Sequence, residues 1–313
     1  MKEHIMTMEV RENVPLAPLT TFGIGGPARY FVSARTDGEI RKAIIWARDR
    51  MFPFRILAGG SNVLIPDEGV QGIVIRIVSG EYSFKEATVR SDAGCDLLTL
   101  IREGGMKGLG GWEKIAGIPG SIGGAVRGNA GAFGSEIKDF AVSVRAFNAE
   151  TGGIETFTNA ECRFAYRNSF FKQNPEWIIL DAEMVLQSIS PQESERKITE
   201  TIAERERRHL QNVAAAGSYF MNPQAPRELR ELFEREKGIE SREGRVPAGW
   251  LIENAGMKGA VVGGAIASIQ HPNYIVNRGG ATAKDVLELA EKIKNTVRSQ
   301  FGVALLEEAA IMK

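Results

Sequence analysis

The spacing of apolar residues after Thr36 predicts an amphipathic helix. Thr36 is suited to cap its first turn, and Glu39 is placed to complete a capping box. Four apolar positions share one face of this helix: Ile40, Ala43, Ile44 and Ala47. We therefore expect a helix that packs this face on a sheet.

Short runs rich in β-branched residues predict strands at Phe54–Leu57 and Ile73–Ile77, and longer ones within VSVRAF and WIILDAEMVL. Helices are predicted over residues 193–210, within PRELRELFERE, and after the capping residue Thr282. The inner face of the last helix carries Val286, Ala290, Ile293 and Val297. WLIENAG is expected to form a buried turn, and residues 303–312 a final strand.

The length and charge of the chain limit its architecture and its partners. A chain of 313 residues exceeds what one core usually organises, so two or three domains are expected, with a boundary near residues 190–212. The 43% of hydrophobic residues is ordinary for a globular protein. Lys and Arg (39) balance Asp and Glu (39), without a basic stripe, so we expect no nucleic-acid partner.

Cysteine, histidine and apolar patterning exclude further classes of protein. Cys95 and Cys162 could form at most one bridge, so no disulfide framework is expected. The three histidines, His4, His209 and His271, show no metal-ligand spacing, and we expect no metal site. No apolar run is long enough to cross a bilayer and MKEHIMTMEV lacks the features of a signal peptide, so a cytoplasmic location is expected.

The segment LAGGSNVLI is the first candidate binding element. Its residues Gly59, Gly60, Ser61 and Asn62 follow a predicted strand, and glycines there allow backbone N–H groups to converge on an anion. A tight hairpin explains the same four residues without any ligand. The segment is neither a Walker A loop nor the G-x-G-x-x-G fingerprint.

The stretch from residue 104 to 134 is dense in glycine yet too apolar for a linker, which favours an ordered binding wall. Within it, residues 111–137 hold eight glycines. So much glycine costs backbone entropy, which a flat ligand lying against the backbone would explain. Chain packing alone is the competing interpretation, and the first glycine segment favours the ligand.

Six segments in order resemble one family, the UDP-N-acetylenolpyruvoylglucosamine reductases, also called UDP-N-acetylmuramate dehydrogenases. They are TTFGIGGPAR, AGGSNVLI, AGIPGSIGGAVRGNAGAFG, FAYRNSFF, GSYFMNP and AGWLIENAGMKG. The resemblance extends from about Leu16 to about Ile311. Because no long insertion follows FAYRNSFF, the chain is similar to the shorter, type II form.

The resemblance implies an α+β protein with an FAD-binding fold of the vanillyl-alcohol-oxidase type. Two α/β subdomains at residues 1–80 and 81–200 would hold FAD, and a C-terminal α+β domain at residues 201–313 would bind substrate. The matching cofactor-binding positions are Gly59, Gly60, Ser61, Asn62, Gly117, Pro119, Gly120, Ser121, Gly123, Gly124, Asn129, Gly131 and Ala132.

The resemblance also assigns chemical roles. Arg167 would hold the substrate carboxylate, which a planar guanidinium suits, and Ser218 would donate a proton. Glu308 would be the acidic group near the C-terminus, with Glu307 as the competing candidate; the distance along the chain from Phe301 favours Glu308. The matching substrate-binding positions are Tyr166, Asn222 and His271.

Two departures from the family pattern stand out. Met221 occupies a position where the family usually has Lys, so a positive charge beside the expected nucleotide is lost. The usual Glu-Pro-Glu-Val near the end reads Leu306-Glu307-Glu308-Ala309.

The implied activity is reduction of UDP-N-acetylenolpyruvoylglucosamine to UDP-N-acetylmuramate by NADPH through non-covalent FAD, in peptidoglycan precursor synthesis. The expected partner is the UDP-sugar substrate, and the protein is expected to be a monomer. Two alternatives stay open: a flavin oxidase or dehydrogenase of the same superfamily acting on another substrate, and a non-catalytic flavin-binding paralogue. GSYFMNP and AGWLIENAGMKG argue against the first alternative, and Arg167, Ser218 and Glu308 together argue against the second.

Overall fold

The computed structural model describes residues 8–208 and 213–312. The strands are β1 (Arg11–Pro15), β2 (Pro27–Ala34), β3 (Phe54–Leu57), β4 (Val63–Leu64), β5 (Val70–Ile77), β6 (Tyr82–Lys85), β7 (Thr88–Asp92), β8 (Leu109–Gly110), β9 (Gly131–Ala132), β10 (Ser135–Glu136), β11 (Ala141–Asn148), β12 (Ile154–Thr158), β13 (Trp177–Val185), β14 (Gln187–Ser188), β15 (Val261–Val262), β16 (Ala265–Ala267), β17 (Ile275–Asn277) and β18 (Ala310–Ile311). The α-helices are α1 (Asp37–Asp49), α2 (Leu97–Met106), α3 (Ile122–Gly128), α4 (Phe170–Gln173), α5 (Pro191–Arg208), α6 (Arg227–Lys237), α7 (Ala248–Asn254) and α8 (Ala283–Phe301).

The first compact unit comprises Met1–Val14, Ala28–Gly60 and Gln71–Arg205. One of its sheets has the strand order β1-β2-β5-β3, in which β3 and β5 are parallel. The other has the order β12-β11-β13-β7-β6 and is antiparallel throughout. The helix predicted after Thr36 is confirmed as α1: the Thr36 side chain accepts a hydrogen bond from Glu39 N, and all four predicted apolar positions are buried.

A buried carboxylate ties α1 to the second of these sheets. Asp181 on β13 is 4% exposed and accepts hydrogen bonds from Arg90 Nε (2.9 Å) and Arg145 Nε. Arg145 also donates from Nη2 to Asp37 at the first turn of α1, at 2.8 Å. A buried charge is stable only when it is paired and hydrogen-bonded. The two arginines meet that requirement, and Arg145 also links the sheet to α1.

The second compact unit comprises Pro15–Pro27, Ser61–Val70 and Glu206–Lys313. It contains the antiparallel sheet β15-β16-β17 and the parallel pair β4 and β18. Its core packs around α8, whose predicted cap at Thr282 is confirmed as a capping box with Asp285. Phe22 and Leu64 are fully buried in the same core, so the early segments supply part of it.

Two local predictions were wrong. WLIENAG lies within and just beyond helix α7 rather than in a turn. Asn222 Oδ1 accepts a hydrogen bond from Ala248 N at 3.0 Å and so satisfies the helix start from a distant position, which no local pattern reveals. Within residues 303–312 only Ala310–Ile311 form a strand, with an isolated bridge at Glu307. The expected helix end at Leu210, and His4 and His209, lie outside the described residues.

Candidate functional site

The two glycine-rich segments, which are distant in sequence, meet in the first unit. A Cβ added to Gly59 would lie 3.0 Å from Gly120 Cα and 3.3 Å from Ser121 N. Gly60, Gly117 and Gly120 have positive φ angles (+68°, +81° and +133°), which L side chains rarely adopt. We call residues 117–132 the glycine wall; its Gly120 and Ser121 lie against the backbone of Gly59.

A third segment supports the glycine wall from behind. Gly123 N donates to Ala93 O at 2.8 Å, and Leu97 N donates to Gly120 O at 3.0 Å. A Cβ on Gly123 would lie 2.8 Å from Ala93 Cβ, whereas a Cβ on Gly124 would meet nothing closer than 3.8 Å. A methyl group would therefore fit at position 124 but not at position 123, so packing requires glycine only at Gly123.

Ser121 presents an unpartnered polar atom at this surface. Its side chain is 6% exposed, and its Oγ has no hydrogen-bond partner among the described residues. Ser121 is the N-cap residue of α3, yet its side chain makes no capping hydrogen bond. Leaving a buried hydroxyl unsatisfied costs about 1–3 kcal/mol, so a ligand atom that bonds this group would be stabilised. This feature and the glycine backbone fit an FAD molecule lying against the wall.

Asn129 holds the far end of the wall in place. It is fully buried and ends α3 in the left-handed conformation, with φ 43°. Its Nδ2 donates to Glu136 Oε2 and to Ala165 O, both at 3.0 Å, and its Oδ1 accepts from Lys138 N at 3.0 Å. These bonds engage both polar atoms of the side chain inside the protein.

Arg167 occupies a strained two-residue turn in the same unit. Ala165 and Asn168 exchange backbone hydrogen bonds of 3.0 Å, and Arg167 between them has a φ of 53°. Glycine or asparagine is preferred at such a position, and strain of this kind often marks functional sites. Arg167 Nη2 donates to Gly131 O at 3.0 Å, and its guanidinium lies 5.2 Å from the ring centroid of Tyr166.

In the second unit, Asn273 holds the segment that follows Ser218. Tyr219 N donates to Asn273 O at 2.7 Å, and Phe220 exchanges hydrogen bonds with the Asn273 side chain at 3.0 and 2.9 Å. Asn273 is 3% exposed. Sequence reasoning selected the neighbouring His271 and missed Asn273, because an asparagine that directly follows a proline is typical of an ordinary turn. Burial, followed by the charge of Glu307, raises the pKa of Tyr219 well above its usual range.

The same unit brings Glu308 and Asn62 to this segment. Glu308 N donates to Tyr219 O at 2.8 Å, and Asn62 Nδ2 donates to Glu308 O at 3.2 Å. The Glu307 carboxylate instead accepts a hydrogen bond from Lys294 Nζ of α8 at 3.0 Å. The Glu307 carboxylate therefore has a cationic partner on α8.

The remaining sequence candidates lie in structured surroundings. Asn222 accepts hydrogen bonds from Ala248 N and, through its carbonyl, from Arg245 Nη1 at 2.9 Å. The His271 ring lies 4.9 Å from that of Tyr274, and burial lowers the pKa of His271, which favours the neutral imidazole at neutral pH. Met221 N donates to Leu306 O at 2.9 Å, so the two departures from the family pattern are neighbours in space.

We expect Gly123→Ala to weaken FAD binding strongly and Gly128→Ala, where an added Cβ would meet nothing within 4 Å, to have little effect. The methyl group at position 123 would overlap Ala93 and displace the wall, and overpacking of this kind typically costs about 1–3 kcal/mol. Titration of the flavin-free proteins with FAD, followed by fluorescence quenching, measures both dissociation constants. Equal affinities for the two variants would show that the wall does not carry the flavin.

Two kinds of feature are absent from the described residues. Across residues 8–208 and 213–312, no group of three or more His, Cys, Asp or Glu side chains is placed to hold a metal ion. No helix in this part of the chain has the length and apolar character needed to cross a membrane.

Comparison with known proteins gives one consistent picture. The family described as UDP-N-acetylenolpyruvoylglucosamine reductase, C-terminal domain, matches residues 208–312, and the FAD binding domain family matches residues 28–158. The chain is 36% identical to the UDP-N-acetylenolpyruvoylglucosamine reductase of Solibacter usitatus, over 97% of each chain. It is 34% identical to that of Pseudomonas aeruginosa, over 97% of this chain and 99% of the relative.

A solved structure extends the similarity to the fold. The UDP-N-acetylenolpyruvylglucosamine reductase from Thermus caldophilus superposes with a TM-score of 0.78 at 32% identity, covering 98% of this chain and all of the other.

Proposed function

This chain belongs to the UDP-N-acetylenolpyruvoylglucosamine reductase family, and from that premise we propose that it reduces UDP-N-acetylenolpyruvoylglucosamine to UDP-N-acetylmuramate. NADPH is the reductant, FAD is the bound cofactor, and the product serves peptidoglycan precursor synthesis. The observation that carries the proposal is the contact between the Gly59 loop and the glycine wall, with the unpartnered Ser121 hydroxyl at its edge.

The glycine segments are the part of the chain that holds FAD. Residues 1–80 and 81–200 are the proposed FAD-binding subdomains, and residues 201–313 the proposed substrate-binding domain. Backbone N–H groups after β3 would hold the diphosphate, and the glycine wall would hold the flavin. The bound cofactor would supply hydride transfer from NADPH to C3 of the enolpyruvyl group. The proposed FAD contacts are non-covalent.

The side chains of the protein bind and protonate the substrate. Arg167 pairs with the enolpyruvyl carboxylate through its planar guanidinium. The Glu308 carboxyl group, together with Arg167, stabilises the negative charge that develops there. Ser218 donates its hydroxyl proton to C2 of the same group. Tyr166, Asn222 and His271 are the proposed substrate-binding residues, and the proposed active form is a monomer in the cytoplasm.

The decisive experiment is anaerobic reoxidation. The purified protein should be yellow, release its FAD on acid precipitation, and bleach when NADPH is added without oxygen. UDP-N-acetylenolpyruvoylglucosamine should then restore the absorbance of oxidised flavin, whereas UDP-N-acetylglucosamine, which lacks the enolpyruvyl group, should not.

Each alternative predicts a different result in this assay. Reoxidation by oxygen alone, with no response to the sugar nucleotide, would favour an oxidase of the same superfamily. A yellow protein that NADPH does not bleach would favour a flavin-binding paralogue without turnover. A protein that takes up no FAD on reconstitution would overturn the whole proposal.

A further inference from the structure

The turn that carries Arg167 is joined to the glycine wall by hydrogen bonds from three side chains. Ser169, which is fully buried, donates from Oγ to Arg127 O at 2.8 Å. Asn129 Nδ2 donates to Ala165 O at 3.0 Å. With the bond from Arg167 Nη2 to Gly131 O, three alternate residues of the wall (127, 129 and 131) each contact the segment 165–169.

These contacts differ from ordinary packing because the backbone they hold is strained. Arg167 has a φ of 53°, and no glycine relieves that conformation. A residue keeps a strained backbone conformation only where contacts with its surroundings stabilise that conformation. Two of the contacts, from Ser169 and Asn129, hold the residues on either side of Arg167 and do not depend on its guanidinium.

We propose that Ser169 and Asn129 are positioning residues that lock the Tyr166-Arg167 turn to the glycine wall, so that the guanidinium of Arg167 keeps a fixed place relative to the bound flavin. This inference rests on the proposed function, in which Arg167 holds the substrate carboxylate. It adds that the turn proposed to bind the carboxylate and the wall proposed to bind the flavin are held together by hydrogen bonds, so that they move as one rigid unit. A small displacement of the arginine would misplace the enolpyruvyl carbon, and such errors cost rate out of proportion to their size.

Ser169→Ala tests the proposal, with Ser194→Ala as the matched control. Ser194 is also fully buried and also donates a single side-chain hydrogen bond, to Glu113 Oε1 at 2.9 Å, but it lies on α5. Both variants lose one buried hydrogen bond, and because Ser194 donates to a carboxylate, Ser194→Ala should lose at least as much stability as Ser169→Ala. Only Ser169→Ala should alter the turn.

Two readouts separate positioning from general destabilisation. In hydrogen exchange followed by mass spectrometry, a peptide spanning residues 163–170 should exchange about threefold to tenfold faster in Ser169→Ala, because one anchoring hydrogen bond is lost. In stopped-flow traces, reoxidation by the sugar nucleotide should slow by a similar factor, while reduction by NADPH stays native. Ser194→Ala should leave both quantities unchanged.

Asn129→Asp provides a second, stronger variant. It keeps the shape of the side chain and tolerates the left-handed backbone, but it places carboxylate oxygens against Glu136 and Ala165 O. We expect faster exchange in residues 163–170 and a larger loss in reoxidation than in Ser169→Ala. If this variant fails to fold, Ser169→Ala still decides the question.

The proposal is overturned if Ser169→Ala exchanges like the native protein in this peptide, or if it slows both half-reactions equally. Failure of the proposed function would give a different result: the sugar nucleotide would not reoxidise the reduced flavin even in the native protein. In that case the exchange measurement, which needs no turnover, still shows whether the turn is locked to the wall.

Discussion

Replacing Ser218 with alanine is expected to slow reoxidation of the reduced enzyme by the sugar nucleotide by about 10²-fold to 10⁴-fold, the usual loss when a positioned general acid is removed. Reduction of the flavin by NADPH should keep nearly its native rate, because that half-reaction transfers no proton to a substrate carbon. Stopped-flow absorbance at the flavin band, recorded separately for each half-reaction, measures both rates.

The structure explains why the alanine variant should keep the native backbone around position 218. The backbone around Ser218 is held by Asn273 and by Glu308 N, which donates to Tyr219 O, and none of these bonds uses the serine side chain. A native reoxidation rate in the alanine variant would mean that the proton comes from water or from Glu308. Our assignment of Ser218 would then be wrong.

Replacing Glu308 with alanine is expected to lower the reoxidation rate by about 10²-fold to 10³-fold, the range for loss of one preorganised donor to developing charge. The adjacent Glu307→Ala is the matched control. Its carboxylate pairs with Lys294 at 3.0 Å in a partly exposed position, so its loss should cost at most about 1 kcal/mol of stability.

Both glutamate variants keep their main-chain contacts, because Glu308 bonds Tyr219 and Asn62 through backbone atoms. Any difference between them therefore reports the carboxyl groups themselves. Comparable losses in the two variants would contradict the assignment of Glu308, and a larger loss in Glu307→Ala would reverse it.

Local patterns were sufficient for the elements whose signals lie within one turn or one strand. The capping residues Thr36 and Thr282, with the apolar faces behind them, located α1 and α8, and the β-branched runs located β3, β5, β11 and β13. These signals are local because helix caps bond to residues only three positions away.

Features that depend on distant partners were beyond the sequence. Nothing around Gly59 indicates that its neighbour is Gly120, and nothing in FAYRNSFF indicates a left-handed arginine, since Arg rarely adopts that conformation. Helix α7 was missed because the group that satisfies its first N–H belongs to Asn222. The family resemblance named the residues of the site, but only the structure shows how Asn129, Ser169 and Asn273 hold them.

The second unit is built from early and late segments of the chain, which limits how much of it can fold during synthesis. Strand β4 leaves the ribosome early, but its partner β18 is synthesised much later. The carbonyl of Glu308, which accepts the hydrogen bond from Asn62, lies 246 positions further along the chain. A nascent chain that already contains the whole FAD-binding domain match, up to residue 158, therefore still lacks β18, the partner of β4. A gene fragment encoding only residues 201–313 would lack Phe22 and Leu64 from its own core.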